Sequence, residues 1–238
     1  MQNIIKNLSV VIPILREAAN LQKLSDDIKE NINLENYEII FVDDNSNDGS
    51  EEILKRLNEK NDKIKYIIRK EEKTDLSKSC AVGFEKSLFD NILVMDGDQQ
   101  HDPKDINLLI KAFNFEEADV VIGSRNLFNK KNEGLSFIRL KASQILIALT
   151  SLLLGKKTND PMSGFFIFKK EIFTSNKKNM YLKGYKILFD LIYSTSEKIK
   201  IVDKEINFRR RHVGTSKMSL KIVYLVVAMI LRRLIKKI

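Results

Sequence analysis

Two stretches of the chain gather carboxylates, amides and hydroxyls at spacings that chemistry could use. The first is Val42-Asp43-Asp44-Asn45-Ser46-Asn47-Asp48-Gly49-Ser50, and the second is Met95-Asp96-Gly97-Asp98-Gln99-Gln100-His101-Asp102-Pro103. Each follows a short apolar run, and a third such run ends in Gly123-Ser124-Arg125. In an extended segment, side chains two apart point to the same side, so Asp96 and Asp98 project together and Gln100 adds an amide oxygen. Adjacent carboxylates repel, and such a pair needs a cation or a shared proton. An oxygen-only set suits Mg²⁺ or Mn²⁺, and Mg²⁺ is typically held by a few carboxylates together with substrate phosphates. The spacing therefore predicts a divalent metal bridging a diphosphate, with a solvated acidic loop as the plainer alternative. For the first stretch the plainer alternative is a turn followed by a helix cap, because Asp, Asn, Ser and Gly are what such loops use.

Other chemistry leaves signatures that are missing here. No G-x-x-x-x-G-K-[ST] and no G-x-G-x-x-G follows a strand, so neither an NTPase loop nor a nicotinamide site is supported. No G-x-S-x-G elbow is present for a serine hydrolase. The one cysteine, Cys80, excludes an intramolecular disulfide and a zinc site of several thiolates, and the two histidines, His101 and His212, leave no imidazole cluster. A metal must rely on carboxylates. Cys80 reads as a structural helix residue, the histidines as hydrogen-bonding loop residues, and Phe165, Phe166 and Phe168 as a core strand.

What must position the polar stretches is a β-α-β-α series. Apolar runs at 8–14, 37–42, 64–68, 92–95 and 119–122 read as buried strands, and the segments between them have helical spacing. Continuous apolar strands joined by crossover helices imply a mostly parallel sheet covered on both faces, with ligands at the carboxyl ends of the strands. The 238 residues fit one large domain, and 43% hydrophobic with 31% charged residues is the balance of a folded protein.

The charge is unevenly placed. Of the formal +9, all resides in 209–238, which holds nine Lys or Arg and no acid. That end of the chain is expected to meet an anionic partner, whether phosphate, lipid headgroups or nucleic acid. The first apolar run contains Pro13 and breaks at Arg16-Glu17 with no small-residue cleavage site, so a cytoplasmic location is expected. The runs 145–154 and 222–231 are about half of the roughly 20 residues that span a bilayer. Segments 136–156 and 219–238, with Arg139, Lys141, Lys156, Arg232, Arg233, Lys236 and Lys237 in or beside them, read instead as amphipathic helices lying at a membrane surface. The plainer alternative is that each packs into this protein or a partner.

Taken in order, Val10-Val11-Ile12-Pro13 with Glu17, the Asp43–Gly49 stretch, Asp96-Gly97-Asp98-Gln99-Gln100-His101, Gly123-Ser124-Arg125, Asp160-Pro161-Met162-Ser163-Gly164-Phe165, Lys183-Gly184-Tyr185-Lys186 and Arg211-His212-Val213-Gly214-Thr215-Ser216-Lys217 resemble the inverting GT-A glycosyltransferases of the dolichol-phosphate mannosyltransferase type. The series covers nearly the whole chain in the family's order. It implies a Rossmann-like α/β fold of three layers, α/β/α, with a mostly parallel sheet over 1–218, followed by the basic amphipathic helix 219–238. It implies transfer of a hexose, with inversion, from GDP-mannose or UDP-glucose to dolichyl or undecaprenyl phosphate on the cytoplasmic face of a membrane, with Mg²⁺ or Mn²⁺. A membrane protein or a second copy of the chain would be a further partner, and nucleic acid would not.

The same resemblance implies roles by position. Pro13, Glu17, Val42 and Asp44 match positions that hold base and ribose. Asp96, Asp98 and Gln100 match metal ligands on the donor diphosphate, with the Gly97 backbone beside them. Arg125, Arg139 and Ser143 match positions that meet the acceptor phosphate, and Arg211 and Lys217 a basic pair over the donor and leaving diphosphate. Leu15 stands where the family often has Tyr, Asp102 where Pro is common, and Asp190 where Glu is usual. A phosphate monoester is ionised near neutral pH and attacks without a general base, whereas a hydroxyl acceptor needs one. The rival reading, a hydroxyl acceptor on a surface glycan, would use Asp190 as that base. A further rival is a non-catalytic basic module that binds membrane or nucleic acid.

Overall fold

The computed structural model describes residues 4–71, 73–125, 137–184, 186–209, 227–228 and 230–231, leaving out the side chains of 137–140, 142, 153 and 154. The first half alternates strand and helix: β1 Asn7–Ile14, α1 Ala18–Asn31, β2 Asn36–Asp43, α2 Ser50–Lys60, β3 Ile64–Ile68, α3 Leu76–Lys86, β4 Asn91–Val94, α4 Ile106–Phe115 and β5 Val120–Arg125. The second half adds α5 Phe137–Leu154, β6 Phe166–Lys169, α6 Lys170–Asn176, α7 Ile187–Ser194 and β7 Ile201–Ile206. All five strands expected from apolar runs are present. Among the described residues they join β6 and β7 in one sheet of order β3-β2-β1-β4-β6-β5-β7.

The sheet is parallel except for β6, which runs antiparallel to both β4 and β5. Strand order reverses between β1, whose other neighbour is β2, and β4. In an open α/β sheet that reversal opens a crevice at the carboxyl ends, where ligands bind. The second carboxylate stretch follows β4, which flanks it, and the first follows β2, one strand further along the same edge.

The central strands are mostly apolar because both faces of the sheet are covered. On one face Val10, Ile12, Phe41 and Leu93 pack with Leu21, Leu24 and Ile28 of α1, Leu54 of α2 and Leu109 of α4. On the other, Val11, Ile40, Val94 and Phe168 pack with Phe84 of α3, Phe173 of α6 and Leu188 and Leu191 of α7. Phe84 sits edge-on to Phe168 and Phe173, at 4.9 and 5.1 Å between ring centres. Such aromatic contacts add about 0.5–1.5 kcal/mol each beyond the area they bury. Cys80 is buried in this second layer, as its reading as a structural residue requires.

Helix α5 turns Leu146, Ile147 and Thr150 inward. Ile145, Leu149 and Leu152, spaced as one stripe, are exposed at 59%, 38% and 81%. Of the expected helix 219–238, the described residues 227–228 and 230–231 are helical, and Ile230 packs on Leu146, Met162 and Phe189. That contact realises, at one residue, the packing alternative. Among the described residues no helix is long and apolar enough to cross a membrane.

Candidate active site

The carboxyl ends of β1, β2, β3, β4 and β5 supply the polar residues. Arg16, Asn45 and Gln99, one after each of β1, β2 and β4, have positive φ of 56°, 59° and 60°. Left-handed backbone at non-glycine residues costs energy and concentrates where function requires a particular loop shape.

In the first stretch the turn-and-cap chemistry is visible. Asp43 accepts hydrogen bonds from the backbone and hydroxyl of Ser46. Asp48 accepts from Ser50 N at 3.2 Å and from Ala18 N at 3.0 Å, binding the start of α2 to that of α1. Arg16 N donates to Ser46 Oγ at 2.7 Å, so these two loops form one rim. Asp44 behaves differently. Its carboxylate is buried against Arg69 Nη1, and its second oxygen accepts the backbone N–H of Asp75. Burial pushes the Asp44 carboxyl above its ordinary range even with Arg69 beside it. Pro13 and Val42 are buried and paired with each other in register at the ends of β1 and β2. Glu17 is buried and accepts from Asn20 Nδ2 at 2.7 Å.

The second stretch is a turn, not the extended segment that alternation assumed. Strand β4 ends at Val94, Gly97 and Asp98 form the turn, and Asp98 accepts Gln100 N at 3.1 Å. Asp98 and Gln100 are buried, while the Asp96 side chain is 34% exposed. Asp96 Oδ2 lies 3.4 Å from Nε2 of the buried His101. Burial works to raise the Asp96 carboxyl, but His101, and the charges of Lys186 and Arg125 further off, hold it below its ordinary range. A Cβ at Gly164 would overlap the Asp96 carboxylate, which is why glycine stands there. His101 stacks on Phe165 at 5.2 Å and meets Phe208 edge-on at 5.1 Å.

Among the described residues no three His, Cys, Asp or Glu side chains are placed to hold a metal ion unaided. The turn offers two carboxylates and an amide, a set that fits a hard cation sharing its shell with phosphate oxygens. The same turn is fastened to the chain after β7. Arg209 N donates to Gln100 O at 2.9 Å, Gln100 Nε2 donates to Arg209 O at 3.0 Å, and Arg209 pairs with Asp102. Arg211 and Lys217 follow in sequence and lie outside the described residues.

Arg125 ends β5 and meets buried Asp160 with two parallel bonds, Nε to Oδ2 at 2.6 Å and Nη2 to Oδ1 at 2.8 Å. Its guanidinium carbon lies 5.4 Å from the centre of the Phe208 ring. Burial works to raise the Asp160 carboxyl, but the Arg125 charge and hydrogen bonds hold it below its ordinary range. Arg139 and Ser143 occupy positions one turn apart in α5, with Ser143 half-buried and the Arg139 side chain outside the described residues.

Asp190 does not have the surroundings of a base. It is buried in the first turn of α7, and Oδ2 accepts the backbone N–H of both Tyr181 and Leu182 at 2.7 Å. Three residues that sequence reasoning gave no role stand out: Arg69, Asp75 and Asp160. Arg69 directly follows β3, the place where ligand-facing residues are expected, and that position was its signal.

The family model described as Glycosyl transferase family 2 matches residues 9–175. Dolichol-phosphate mannosyltransferase from Pyrococcus furiosus is 35% identical over 219 residues, covering 91% of this chain but 60% of the relative, so the chain spans less than two thirds of that protein. The protein of that name from Mycosarcoma maydis is 31% identical over 228 residues, covering 91% and 75%. Among solved structures, glucosyl-3-phosphoglycerate synthase from Mycobacterium tuberculosis, in complex with Mn²⁺, UDP-glucose and phosphoglyceric acid, has a TM-score of 0.74. It covers 96% of this chain and 80% of that one at 17% identity, a likeness of fold.

Proposed function

The chain belongs to glycosyl transferase family 2, and from that premise we propose that it moves a hexose from a nucleotide sugar, GDP-mannose or UDP-glucose, to a polyprenyl phosphate with inversion. The observation that carries the reading is the Asp96-Gly97-Asp98 turn at the carboxyl end of β4, beside the strand reversal and on the same sheet edge as Asp44, which directly follows β2. The names of the mannosyltransferase relatives support the lipid phosphate as acceptor.

In this reading Asp44, Glu17, Pro13 and Val42 shape the nucleotide pocket, and Asp96, Asp98 and Gln100 would hold Mg²⁺ or Mn²⁺ through oxygen atoms. The Gly97 backbone would lie beside the diphosphate. The cation, when bound, would neutralise charge on the departing diphosphate. Arg211 and Lys217 would add positive charge there, which would stabilise the leaving group without a proton transfer. Arg125, Arg139 and Ser143 would meet the acceptor phosphate, with Arg125 doing so while still bridged to Asp160. An ionised phosphate oxygen attacks the anomeric carbon directly, so no side chain must remove a proton. The buried, doubly bonded state of Asp190 supports this over the hydroxyl-acceptor alternative.

The exposed stripe Ile145, Leu149 and Leu152 supports peripheral binding to the cytoplasmic face of a membrane, where the acceptor resides. The test is incubation with a panel of nucleotide sugars, a polyprenyl phosphate and Mn²⁺, followed by mass analysis of the lipid. Gain of one hexose from one donor is expected; no gain from any donor would overturn the reading.

A further inference from the structure

The carboxyl edge is built from two parts of the chain far apart in sequence, and one side chain joins them. Asp75 caps α3, accepting Lys78 N at 3.2 Å. The same carboxylate accepts the backbone N–H of Gly184, 109 residues away, at 3.0 Å to Oδ1 and 2.9 Å to Oδ2. Ser77 N returns a bond to Gly184 O at 2.9 Å. On its other side Asp75 donates its backbone N–H to Asp44, and its carbonyl accepts Arg69 Nη1 at 3.1 Å. Gly184 has φ of 92°, a left-handed conformation that glycine adopts without strain.

Resting on the glycosyltransferase reading, we propose that Asp75 is a positioning residue for transfer: its carboxylate holds the segment around Gly184 in register with the Asp44 pocket, which sets Lys186 beside the metal turn. The segment 180–184 has no helix or strand of its own. Two carboxylates shape it instead, Asp190 through Tyr181 and Leu182, and Asp75 through Gly184. Lys186 follows two residues later and donates to Met162 O at 3.4 Å, two residues before Gly164, which packs against the Asp96 carboxylate. A shift of Gly184 therefore moves a cation relative to the diphosphate site while leaving the Asp44 contacts, which use the Asp75 backbone, in place.

A helix cap alone would not require this residue. Ser and Asn cap about as well as Asp. Asp75→Ser keeps a cap oxygen but its shorter side chain falls short of Gly184, whereas Asp75→Asn keeps the cap and one acceptor for Gly184. Expected for Asp75→Ser is a fall in kcat of about 10- to 100-fold, the scale of a small misplacement at a reacting centre. Nucleoside diphosphate affinity in Mn²⁺ should stay at the wild-type value, and amide exchange at Gly184 should quicken. Asp75→Asn should restore most of kcat. Wild-type kcat and exchange in Asp75→Ser would overturn the proposal, as would a loss of nucleotide affinity matching the loss of kcat. Should Asp75→Ser fail to fold, Asp75→Asn carries the test: one acceptor fewer predicts faster Gly184 exchange, and unchanged exchange overturns it. Failure of the transferase reading is separate, since wild type would then transfer no sugar while exchange and nucleotide binding still report on the Asp75 contact.

Discussion

Two buried arginine–aspartate pairs stand at the carboxyl edge of the same sheet, and they are completed differently. Arg125 presents its fork to Asp160 through two atoms, and Asp160 also accepts the Arg125 backbone N–H at 3.2 Å. Arg69 meets Asp44 through Nη1 alone, and that atom also serves Asp75 O and Ser79 Oγ. Arg69 Nη2 lies 2.9 Å from Glu71 without hydrogen-bond geometry, and the buried Nε has no hydrogen-bond partner among the described residues. The protonation balance follows. Burial is the largest influence on both carboxyls, yet Asp160 is held below its ordinary range by Arg125 while Asp44 stays above it. The same two residue types thus make a finished brace after β5, on the side proposed for the acceptor, and an electrostatically unfinished pocket after β2, on the side proposed for the nucleotide. An unfinished buried pair in a crevice is where a ligand's own donors have the most to add.

The largest effect should come from a substitution in neither pair. Asp98→Ala removes a carboxylate from the turn between them and should cut transfer by about a thousandfold or more, each tenfold being about 1.4 kcal/mol of lost transition-state stabilisation. Both pairs, and the unfolding midpoint in denaturant, should survive. Retained transfer would separate the turn from the chemistry.

Next in size is the brace. Asp160→Ala strands the Arg125 charge, and breaking one partner of a buried pair costs about 3–5 kcal/mol, readable from urea unfolding. Asp44→Asn should cost less stability, because burial already disfavours the charge that the substitution removes and the amide keeps one acceptor oxygen. It should instead weaken nucleoside diphosphate binding by about tenfold, or ~1.4 kcal/mol, in a calorimetric titration. Equal destabilisation by the two substitutions would dissolve the distinction.

The smallest effect is on pH dependence. The depressed Asp160 carboxyl contributes stability that is present above the ordinary carboxylate range and lost as pH falls through its folded value. The raised Asp44 carboxyl has the opposite sign, opposing folding at neutral pH until it protonates above the ordinary range. On acidification, nucleotide affinity should therefore decline before stability does. Unfolding midpoints and nucleotide binding followed from neutral pH downward would check the order, and Asp44→Asn should remove the early step.

Much of this edge is legible in the sequence, because apolar runs bounded by polar turns carry their own period. The run 64–68 coincides with β3, and 37–42 lies within β2. The polar residues after each strand were legible for the same reason, since a parallel sheet sends its carboxyl ends to one edge. Their partners were not. Arg69 reaches Asp44 across 25 residues, Arg125 reaches Asp160 across 35, and Asp75 reaches Gly184 across 109. Such pairs depend on how the sheet closes, and no local spacing encodes that closure. Strand β7, at the sheet edge, has half-buried residues in a row from Ile201 to Lys204 and lacks the apolar signal of its neighbours. Alternation misled at Asp96 and Asp98 because the strand ends at Val94 and the chain turns at Gly97 and Asp98. Asp190 looked like a base because its carboxyl chemistry is visible in sequence, while the two backbone donors that occupy it are not.

The claim that the acceptor is a phosphate, attacking without a side-chain base, is tested most directly by competition. Wild-type protein is given one active nucleotide sugar, Mn²⁺, and equal amounts of a polyprenyl phosphate and the matching polyprenol, and both lipids are weighed by mass spectrometry. The expected result is one hexose added to the phosphate and none to the alcohol, while sugar on the alcohol, or on neither, would contradict the account.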